Sequence, residues 1–335
     1  MHSTRRLLSK IPIQSFLIGI LHLIGLLSLY RDDDKKRGHP YVYPTSVMLR
    51  CRVVMIWLRI PSNNCLHQYF EIDMPYNRRV MRACGLHALP DRRTFDRRFK
   101  ILPIGIIIST MGRRFGAEGL ADVAVASVDS TLVTAKGPMW HWNHIRKGII
   151  PRSGIDTDAR WGFAKTKGWV FGYKIHMISS TGDLVVPLAA EVTPANIHDH
   201  LRYCELVECL PDSVRYIAGD LGYRDYKLHD YSRQRGIVLV CPIRRFRHTK
   251  KNRLEMIRFY RSRKGQGIYG TRRVSIEPLF DCVKETFGIS VAPVRGLENV
   301  SSYLLSCVFV YQIAVYYNCV RGSKHPRCVR YMLGN

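Results

Sequence analysis

The sequence predicts an α/β (α+β) fold, in which a mixed sheet flanked by helices follows a helical region. Residues 44–115 have the apolar spacing and the turn residues of short helices. From about residue 121, β-branched segments alternate with helical ones. Three acids, Asp129, Asp220 and Glu277, stand where these later segments begin or end, which is a common position for functional side chains.

The chain has 335 residues, enough for about two domains. We divide it into an apolar segment with a charged linker (1–43), a helical segment (44–115), a sheet-containing domain (116–322) and a basic tail (323–335). Residues 11–30 are apolar over roughly the 20 residues that span a bilayer, so a packed helix and a membrane anchor are both open. Gln14, His22 and the lack of a cleavage site favour the packed helix, and we expect no membrane partner.

Basic residues dominate the composition. Lysine and arginine outnumber the acids by 52 to 26, which gives a formal net charge of +26. A solvated basic surface explains a charge of a few units but not one of this size. We therefore expect a polyanionic partner, and double-stranded DNA is the leading candidate. The ten cysteines form no CxxC pair and no zinc-binding cluster, which indicates a reducing compartment. We therefore expect a cytoplasmic protein associated with the nucleoid.

A short basic helix is predicted after the turn GLHALP. Asp91 is a good N-cap for it, and Arg92 and Arg93 follow directly. A basic helix after such a turn is typical of a helix-turn-helix contact with DNA, so we predict DNA binding for residues 44–115. An amphipathic helix with exposed arginines explains the same pattern, and both interpretations stay open.

The predicted sheet begins with three strands, near residues 121–129, 169–177 and 183–192, which favour an antiparallel meander. A helix near 197–209, the strand VRYIAG, a helix near 222–235 and the strand IVLVCPI then predict a βαβ unit. This order of elements is that of a ribonuclease H-like domain. On the second strand, alternation places Lys174 and His176 on the outer face, where we expect them to be solvated.

The three acids predict a metal site. Asp129 and Asp220 end the first and fourth strands, which are neighbours in this topology, and Glu277 opens a helix. Two divalent ions about 3.5–4 Å apart promote displacements at phosphorus, and Mg²⁺ prefers carboxylate oxygens. Each acid alone has a local interpretation, such as a turn cap or a favourable first-turn charge. The three contexts together favour a site for two Mg²⁺ ions, with Mn²⁺ as a substitute.

The sequence around Glu277 predicts a helix. Ser275 suits its N-cap, and Pro278 fits the first turn, where a missing N–H is no loss. Lys284 lies two turns beyond Glu277 on the same face, and Arg273 precedes the cap, so we expect both to contact DNA phosphates. The apolar positions at helical spacing predict a buried stripe made of Ile276, Phe280, Val283 and Phe287.

Aromatic and basic residues mix in the segment WHWNHIRKGIIPR, which holds Trp140, Trp142, Arg146 and Lys147. Such a segment suits stacking on unpaired bases and contacts with phosphates. A loop whose tryptophans pack on the core explains it equally well. In the same way, Asp199 either supports the carboxylates or caps a helix.

In these motifs the chain resembles the DDE transposases of bacterial and archaeal insertion sequences that carry a YREK signature. Arg273, Glu277 and Lys284 match its last three residues and their spacing, while Tyr269 stands one residue before the position of its tyrosine, Gly270. The resemblance extends to the segments VDSTLV, GIDTDARWGFAKTKGWVFGYKIH, VTPANIHDH and GDLGYRDYKL. The stretch 244–273, with twelve Lys or Arg and one acid, looks like a surface that tracks DNA.

The resemblance implies a ribonuclease H-like catalytic domain, in which Asp129, Asp220 and Glu277 bind two Mg²⁺ ions and Arg273, Lys284 and Tyr269 contact DNA. It also implies cleavage at terminal inverted repeats, strand transfer to target DNA and a homodimer on DNA. The apolar helix SSYLLSCVFVYQIAVYYN is expected to be buried in the core or in the dimer interface. Two alternatives are a non-catalytic DNA-binding protein derived from a transposase and a membrane-anchored basic protein.

Overall fold

The computed structural model describes residues 13–30, 41–149, 154–165, 167–243 and 251–334. The chain divides into two compact units, Met1–Ile107 with Phe309–Asn335, and Ile108–Val308. This division differs from the segment boundaries drawn after residues 43, 115 and 322. The reason is one continuous helix, Leu297–Val320, whose first half belongs to one unit and whose second half belongs to the other.

Short helices build the amino-terminal part of the first unit, as predicted. They are α1 (Ile13–Leu27), α2 (Thr45–Trp57), α3 (Asn63–Glu71), α4 (Pro75–Cys84) and α5 (Arg92–Lys100). The apolar residues of α1 that repeat every three or four positions are buried, namely Phe16, Leu17, Ile20, Leu21 and Ile24. Gly19 faces Tyr317 so closely that an added Cβ would lie 2.3 Å from its hydroxyl oxygen. The apolar amino-terminal segment therefore contains a packed helix.

Helix α5 begins at the predicted cap, because the Asp91 carboxylate accepts a hydrogen bond from the Arg93 amide at 2.8 Å. Arg92 and Arg93 are exposed. Arg98 on the same helix turns inward, and its guanidinium donates to the Tyr43 carbonyl at 2.9 Å and the Thr45 hydroxyl at 3.1 Å. The helix is thus amphipathic with exposed arginines, and its contact with DNA stays a prediction.

The second unit contains a six-stranded mixed sheet. Its strands are β1 (Val125–Thr134), β2 (Arg160–Ala164), β3 (Gly168–Ser180), β4 (Pro187–Pro194), β5 (Tyr216–Ala218) and β6 (Val238–Val240). The order is β2-β3-β1-β5-β6, with β4 also paired to β3. β1, β3 and β4 form the antiparallel meander, and β5 and β6 run parallel to β1. The predicted ribonuclease H-like order is confirmed, and β2 is an additional strand that the sequence analysis did not predict.

Further helices occur along the rest of the chain. Those not yet named are α6 (Ile104–Ala117), α7 (Trp142–Arg146), α8 (Tyr203–Glu208), α9 (Tyr226–Gln234), α10 (Lys251–Arg261), α11 (Arg263–Val274), α12 (Ile276–Phe287), α13 (Leu297–Val320) and α14 (Val329–Met332). Two short 3-10 helices, Asp199–Arg202 and Leu221–Tyr223, complete the set in the described residues. Ile268 of α11 packs against Ala218 and Val240, so this helix covers the β5–β6 side of the sheet.

Two features of composition have simple structural explanations. The described part of the basic stretch, from residue 251, forms α10 and α11, which turn Ile257, Gly265 and Ile268 inward. Residues 244–250 lie outside the described residues. Among the described residues, α13 alone is long and apolar enough to cross a membrane, and 78% of its apolar window is buried inside the protein. The expected burial of this helix is confirmed.

Candidate carboxylate site

Asp129 lies in the middle of β1 and not at its end, which corrects the prediction. β1 continues to Thr134 because β3 pairs with it over this whole length, with Asp129 opposite Met177. The other edge of β1 pairs with β5 only from Val125 to Ser127. Asp129 therefore stands just beyond the end of β5, where that edge of β1 is open to other groups.

Asp220 lies near Asp129. Ser127 of β1 pairs with Ala218, the last residue of β5, and each acid follows two residues later in its own segment. The charge of Asp220 contributes to the raised pKa of Asp129, so the two carboxylates are within electrostatic reach of each other. Asp220 also accepts a hydrogen bond from the Gly222 amide at 2.8 Å, which fixes the turn after β5. The local turn role of Asp220 is therefore observed, and a metal ion shared with Asp129 stays a prediction.

Glu277 reaches the same region from α12. Ser275 precedes this helix but does not cap it with its side chain, contrary to the prediction. Its hydroxyl instead donates to the Thr271 carbonyl at 2.7 Å and lies 3.3 Å from the Ser127 hydroxyl. The start of α12 is thereby held against β1 two residues before Asp129. The predicted stripe of α12 is confirmed, since Ile276, Phe280, Val283 and Phe287 are all buried.

Arg272 joins two of the acids, and the sequence analysis missed it. Its Nη2 atom is 3.1 Å from Asp129 Oδ2 and 3.5 Å from Glu277 Oε1. Arg273, the residue selected by signature spacing, is exposed. Successive helical residues point about 100° apart, so only one of two adjacent arginines can face the acids. Tyr269 lies three residues before Arg272, and its ring centroid is 5.7 Å from the guanidinium carbon.

Burial controls the electrostatics of the site. It raises the pKa of Asp129 to about 6, and the charge of Asp220 acts in the same direction. The Arg272 guanidinium and the Ser130 amide, which donates at 2.8 Å, oppose this rise. The carboxylate of Asp129 therefore needs a positive neighbour, and Arg272 provides one.

The donor chemistry of the three acids suits a hard cation, because carboxylate oxygens are the ligands that Mg²⁺ prefers. In the described residues, no group of three or more His, Cys, Asp or Glu side chains is assembled closely enough to hold a metal ion. The Arg272 guanidinium lies between Asp129 and Glu277 instead. Binding of one ion by all three acids therefore requires the Arg272 contacts to open.

Asp199 is at the centre of a second group of contacts beside the site. Its Oδ1 atom accepts hydrogen bonds from the Ser130 hydroxyl at 2.8 Å and from Lys174 Nζ at 2.9 Å, and it lies 3.6 Å from His176 Nδ1. Lys174 and His176 were expected to be solvated, which is wrong: their side chains are 12% and 0% exposed. The segment after β4 covers this face, since Lys174 also donates to the Ile197 carbonyl at 2.8 Å. Two interpretations of Asp199 were open, a helix cap and a support for the carboxylates, and these contacts fit the second.

Tyr223 lies near both Asp199 and the pair Asp129 and Asp220. Its side chain is buried, and among the described residues its hydroxyl has no hydrogen-bond partner. Burial raises the pKa of Tyr223 strongly, and the charges of Asp199, Asp129 and Asp220 raise it further. Gly219 leaves room for the tyrosine ring, because an added Cβ would lie 3.0 Å from it. This hydroxyl is a buried polar group close to three carboxylates.

Lys284 has partners within the protein. Its Nζ atom donates to the Thr131 hydroxyl and, at 2.9 Å, to the Leu132 carbonyl, so it ties α12 to the strand that carries Asp129. Burial lowers the pKa of Lys284 to about 8, and the nearby Lys167 ammonium lowers it too. A contact of Lys284 with DNA stays a prediction.

The remaining predicted DNA contacts are spread over the chain. Trp142, Arg146 and Lys147 are exposed on or beside α7, and Trp140 is half-buried, with its carbonyl accepting from Trp161 Nε1 at 2.8 Å. Tyr269 is half-buried, and its ring packs edge-on against Tyr260 at 5.4 Å. The structure thus places Asp129 and Glu277 on either side of Arg272, with Asp220 within electrostatic reach of Asp129 and Tyr269 nearby, and leaves the α7 residues on the surface.

A ribonuclease H-like sheet with acids on β1, in the turn after β5 and on α12 is typical of nucleic-acid-processing domains. The chain matches the family model of the transposase DDE domain over residues 124–313 and belongs to this family. No curated protein matches it significantly. Among solved structures, a piggyBac transposase synaptic complex with hairpin DNA is 11% identical, with a TM-score of 0.37, over 97% of this chain and 77% of that chain.

Proposed function

We propose that this transposase-family chain is an active DNA transposase of an insertion sequence. It cleaves DNA at the terminal inverted repeats and joins the freed 3′ end to target DNA. The observation that supports the proposal is the position of Arg272, whose Nη2 atom is 3.1 Å from Asp129 and 3.5 Å from Glu277, with Asp220 within electrostatic reach of Asp129. Both reactions are in-line displacements at phosphorus, so one site serves both.

Asp129, Asp220 and Glu277 are the catalytic residues and the ligands of two Mg²⁺ ions, which Mn²⁺ can replace. When bound, the ions supply the positive charge that the attacking and leaving oxygens need. Before that, Arg272 neutralises Asp129 and restrains Glu277. Asp199 holds the Ser130 hydroxyl next to Asp129 and is itself neutralised by Lys174, so the strand keeps its geometry when Arg272 turns away.

The partner is double-stranded DNA, first the inverted repeats and then the target. The net charge of +26 supports this choice, because phosphate neutralisation dominates DNA affinity. The residues assigned to DNA contact are Arg92, Arg93, Trp140, Trp142, Arg146, Lys147, Tyr269, Arg273 and Lys284. Coordinated cutting of two ends requires two sites, so the working form is a homodimer on DNA. We expect it in the cytoplasm, associated with the nucleoid.

A second candidate is a DNA-binding protein that has lost catalysis. The Arg272 guanidinium between Asp129 and Glu277 favours it, since a fixed arginine there would exclude a metal ion. The two candidates differ in cleavage and agree in DNA binding.

The decisive experiment measures Mg²⁺-dependent cleavage of DNA that carries the flanking inverted repeats. Asp129→Ala, Asp220→Ala and Glu277→Ala should each reduce cleavage at least about a hundredfold while DNA binding is retained. Asp183→Ala is the matched control, because it removes an exposed acid from the turn between β3 and β4 of the same unit. Cleavage that survives in one of the three variants removes that residue from the site. A wild-type protein that binds DNA without cutting it supports the second candidate.

A further inference from the structure

Four aromatic side chains form a ladder on the hairpin of β2 and β3. Trp161 pairs in register with Phe171, and Phe163 pairs with Trp169. Alternate residues of a strand share one face, so all four rings lie on the same face of the hairpin. The ring centroids of the two pairs are 5.6 Å and 5.4 Å apart.

The two pairs differ in their surroundings. Phe171 is buried, and Trp161 is anchored through its indole nitrogen to the Trp140 carbonyl at 2.8 Å. Phe163 and Trp169 are 59% and 65% exposed. The inner pair therefore belongs to the packing of the sheet, whereas the outer pair presents two large ring surfaces to solvent near the end of the hairpin.

Cations flank the exposed pair. Lys165 and Lys167 are exposed between Phe163 and Trp169. Both lie in the turn between β2 and β3, next to the two exposed rings. An anionic group bound beside these rings would therefore be close to two ammonium groups.

We propose that Phe163 and Trp169 form a stacking surface for an unpaired base of the DNA, and that Lys165 and Lys167 hold a neighbouring phosphate. The inference rests on the proposed function in taking DNA as the substrate, and it adds a preference for DNA with an unpaired base. In a duplex the base faces are covered by stacking, whereas an unpaired base offers its face to an aromatic ring. A second copy of this chain is disfavoured as the occupant, because it carries the same charge of +26.

The test compares two DNAs of equal length and sequence that carry 2-aminopurine at the inverted-repeat end, one fully paired and one with unpaired terminal nucleotides. Binding is measured without divalent ions. Trp169→Ala should weaken binding of the unpaired-end DNA about tenfold and change binding of the paired DNA less than about twofold. The fluorescence quenching of the unpaired 2-aminopurine should be lost as well.

Four further variants test the interpretation. Trp169→Phe keeps an aromatic ring and should retain most of the preference for the unpaired-end DNA. Phe163→Ala removes the other exposed ring and should reduce this preference. Lys167→Gln should weaken binding of both DNAs. It should also lower the slope of the logarithm of affinity against the logarithm of salt concentration by about one. Tyr331→Ala, which removes an exposed aromatic residue of the other unit, should leave both affinities unchanged.

Equal effects of Trp169→Ala and Phe163→Ala on both DNAs, or no effect on either, would overturn the stacking surface. A change of oligomeric state in Trp169→Ala without DNA would also overturn it, in favour of a contact between copies of the chain. Failure of the proposed function is visible separately. A wild-type protein that does not cut, but whose Trp169→Ala variant loses the preference for the unpaired end, refutes catalysis and supports the stacking surface.

Discussion

Arg272 shows how one side chain decides the state of the carboxylate site. Asp129 is mostly buried, and its ionised form depends on the guanidinium 3.1 Å away. The same guanidinium reaches Glu277 at 3.5 Å. Arg272 therefore takes the position between two carboxylates that a metal ion would compete for. The adjacent Arg273 is exposed and has no such role in the structure.

Substitution of these neighbours separates their roles. Arg272→Gln should lower the Mg²⁺ concentration needed for half-maximal cleavage about tenfold, because the guanidinium no longer competes with the ion for Asp129 and Glu277. Arg273→Gln removes an equal charge one residue away and should reduce cleavage no more than about threefold, through weaker phosphate contacts. Cleavage rates at saturating DNA, measured over a range of Mg²⁺ concentrations, test this difference. A larger loss in Arg273→Gln would favour the arginine selected by signature spacing.

At the level of elements, the site depends on how helices are set against the sheet. The junction of α11 and α12 is fixed on β1 through Ser275 and Ser127, and Lys284 fixes α12 further along. Tyr269 and Arg272 share a face of α11, while Glu277 and Lys284 belong to α12. The turn at Ser275 thus divides the residues of the signature between two helices. A fixed spacing across this turn does not determine which of the two arginines faces the acids.

Close packing of α6 on β4 gives a stability prediction. An added Cβ at Gly112 would lie 2.9 Å from the backbone of Leu188, which cannot move aside as a side chain can. Gly112→Ala should therefore lower the free energy of unfolding by about 1–3 kcal/mol. Gly267→Ala, in α11 with nothing within 4 Å of its added Cβ, should raise it by up to about 1 kcal/mol. Urea unfolding, followed by tryptophan fluorescence, measures the free energy of unfolding of both variants. Equal changes in the two variants would contradict the tight contact at Gly112.

Across the whole molecule, buried histidines link stability to pH. Burial lowers the pKa of His229 to about 4, and His176 shifts in the same direction to the same value. Above the ordinary pKa of 6.5 both rings are neutral in the folded and the unfolded chain, so they contribute no pH dependence there. As pH falls from 6.5 towards 4, the unfolded chain takes up protons that the folded chain refuses, and stability is lost.

His229→Gln isolates one of these contributions. His229 lies against Cys241, with Nε2 3.3 Å from the sulfur, and has no room for a hydrated charge. Between pH 6.5 and 4, the free energy of unfolding should fall less steeply in the variant than in the wild type. The difference in slope should be at most about 1.4 kcal/mol per pH unit. His87→Gln, which removes an exposed histidine, is the control. Parallel curves for wild type and His229→Gln would show that this ring is not a source of the acid sensitivity.

Much of the architecture could be predicted from residue order, because helix caps and the alternation of apolar residues are local signals. Asp91 caps α5, the stripe of α12 is buried, and the meander and the βαβ unit occur in the predicted order. Strand β2 was missed because it is short and all five of its residues pair with β3, a contact that local sequence does not show. The end of β1 was misplaced because pairing with β3 extends the strand through Asp129 to Thr134.

The approximate location of the carboxylates follows from sequence, since strands that are neighbours in a known topology bring their ends together. Which groups balance their charge does not. Arg272 rather than Arg273 faces the acids because α11 buries the face that carries Ile268 and Arg272. Lys174 and His176 are buried because the segment after β4 covers them. Such contacts join residues far apart in the chain, and only tertiary packing decides which side of a helix or strand is covered.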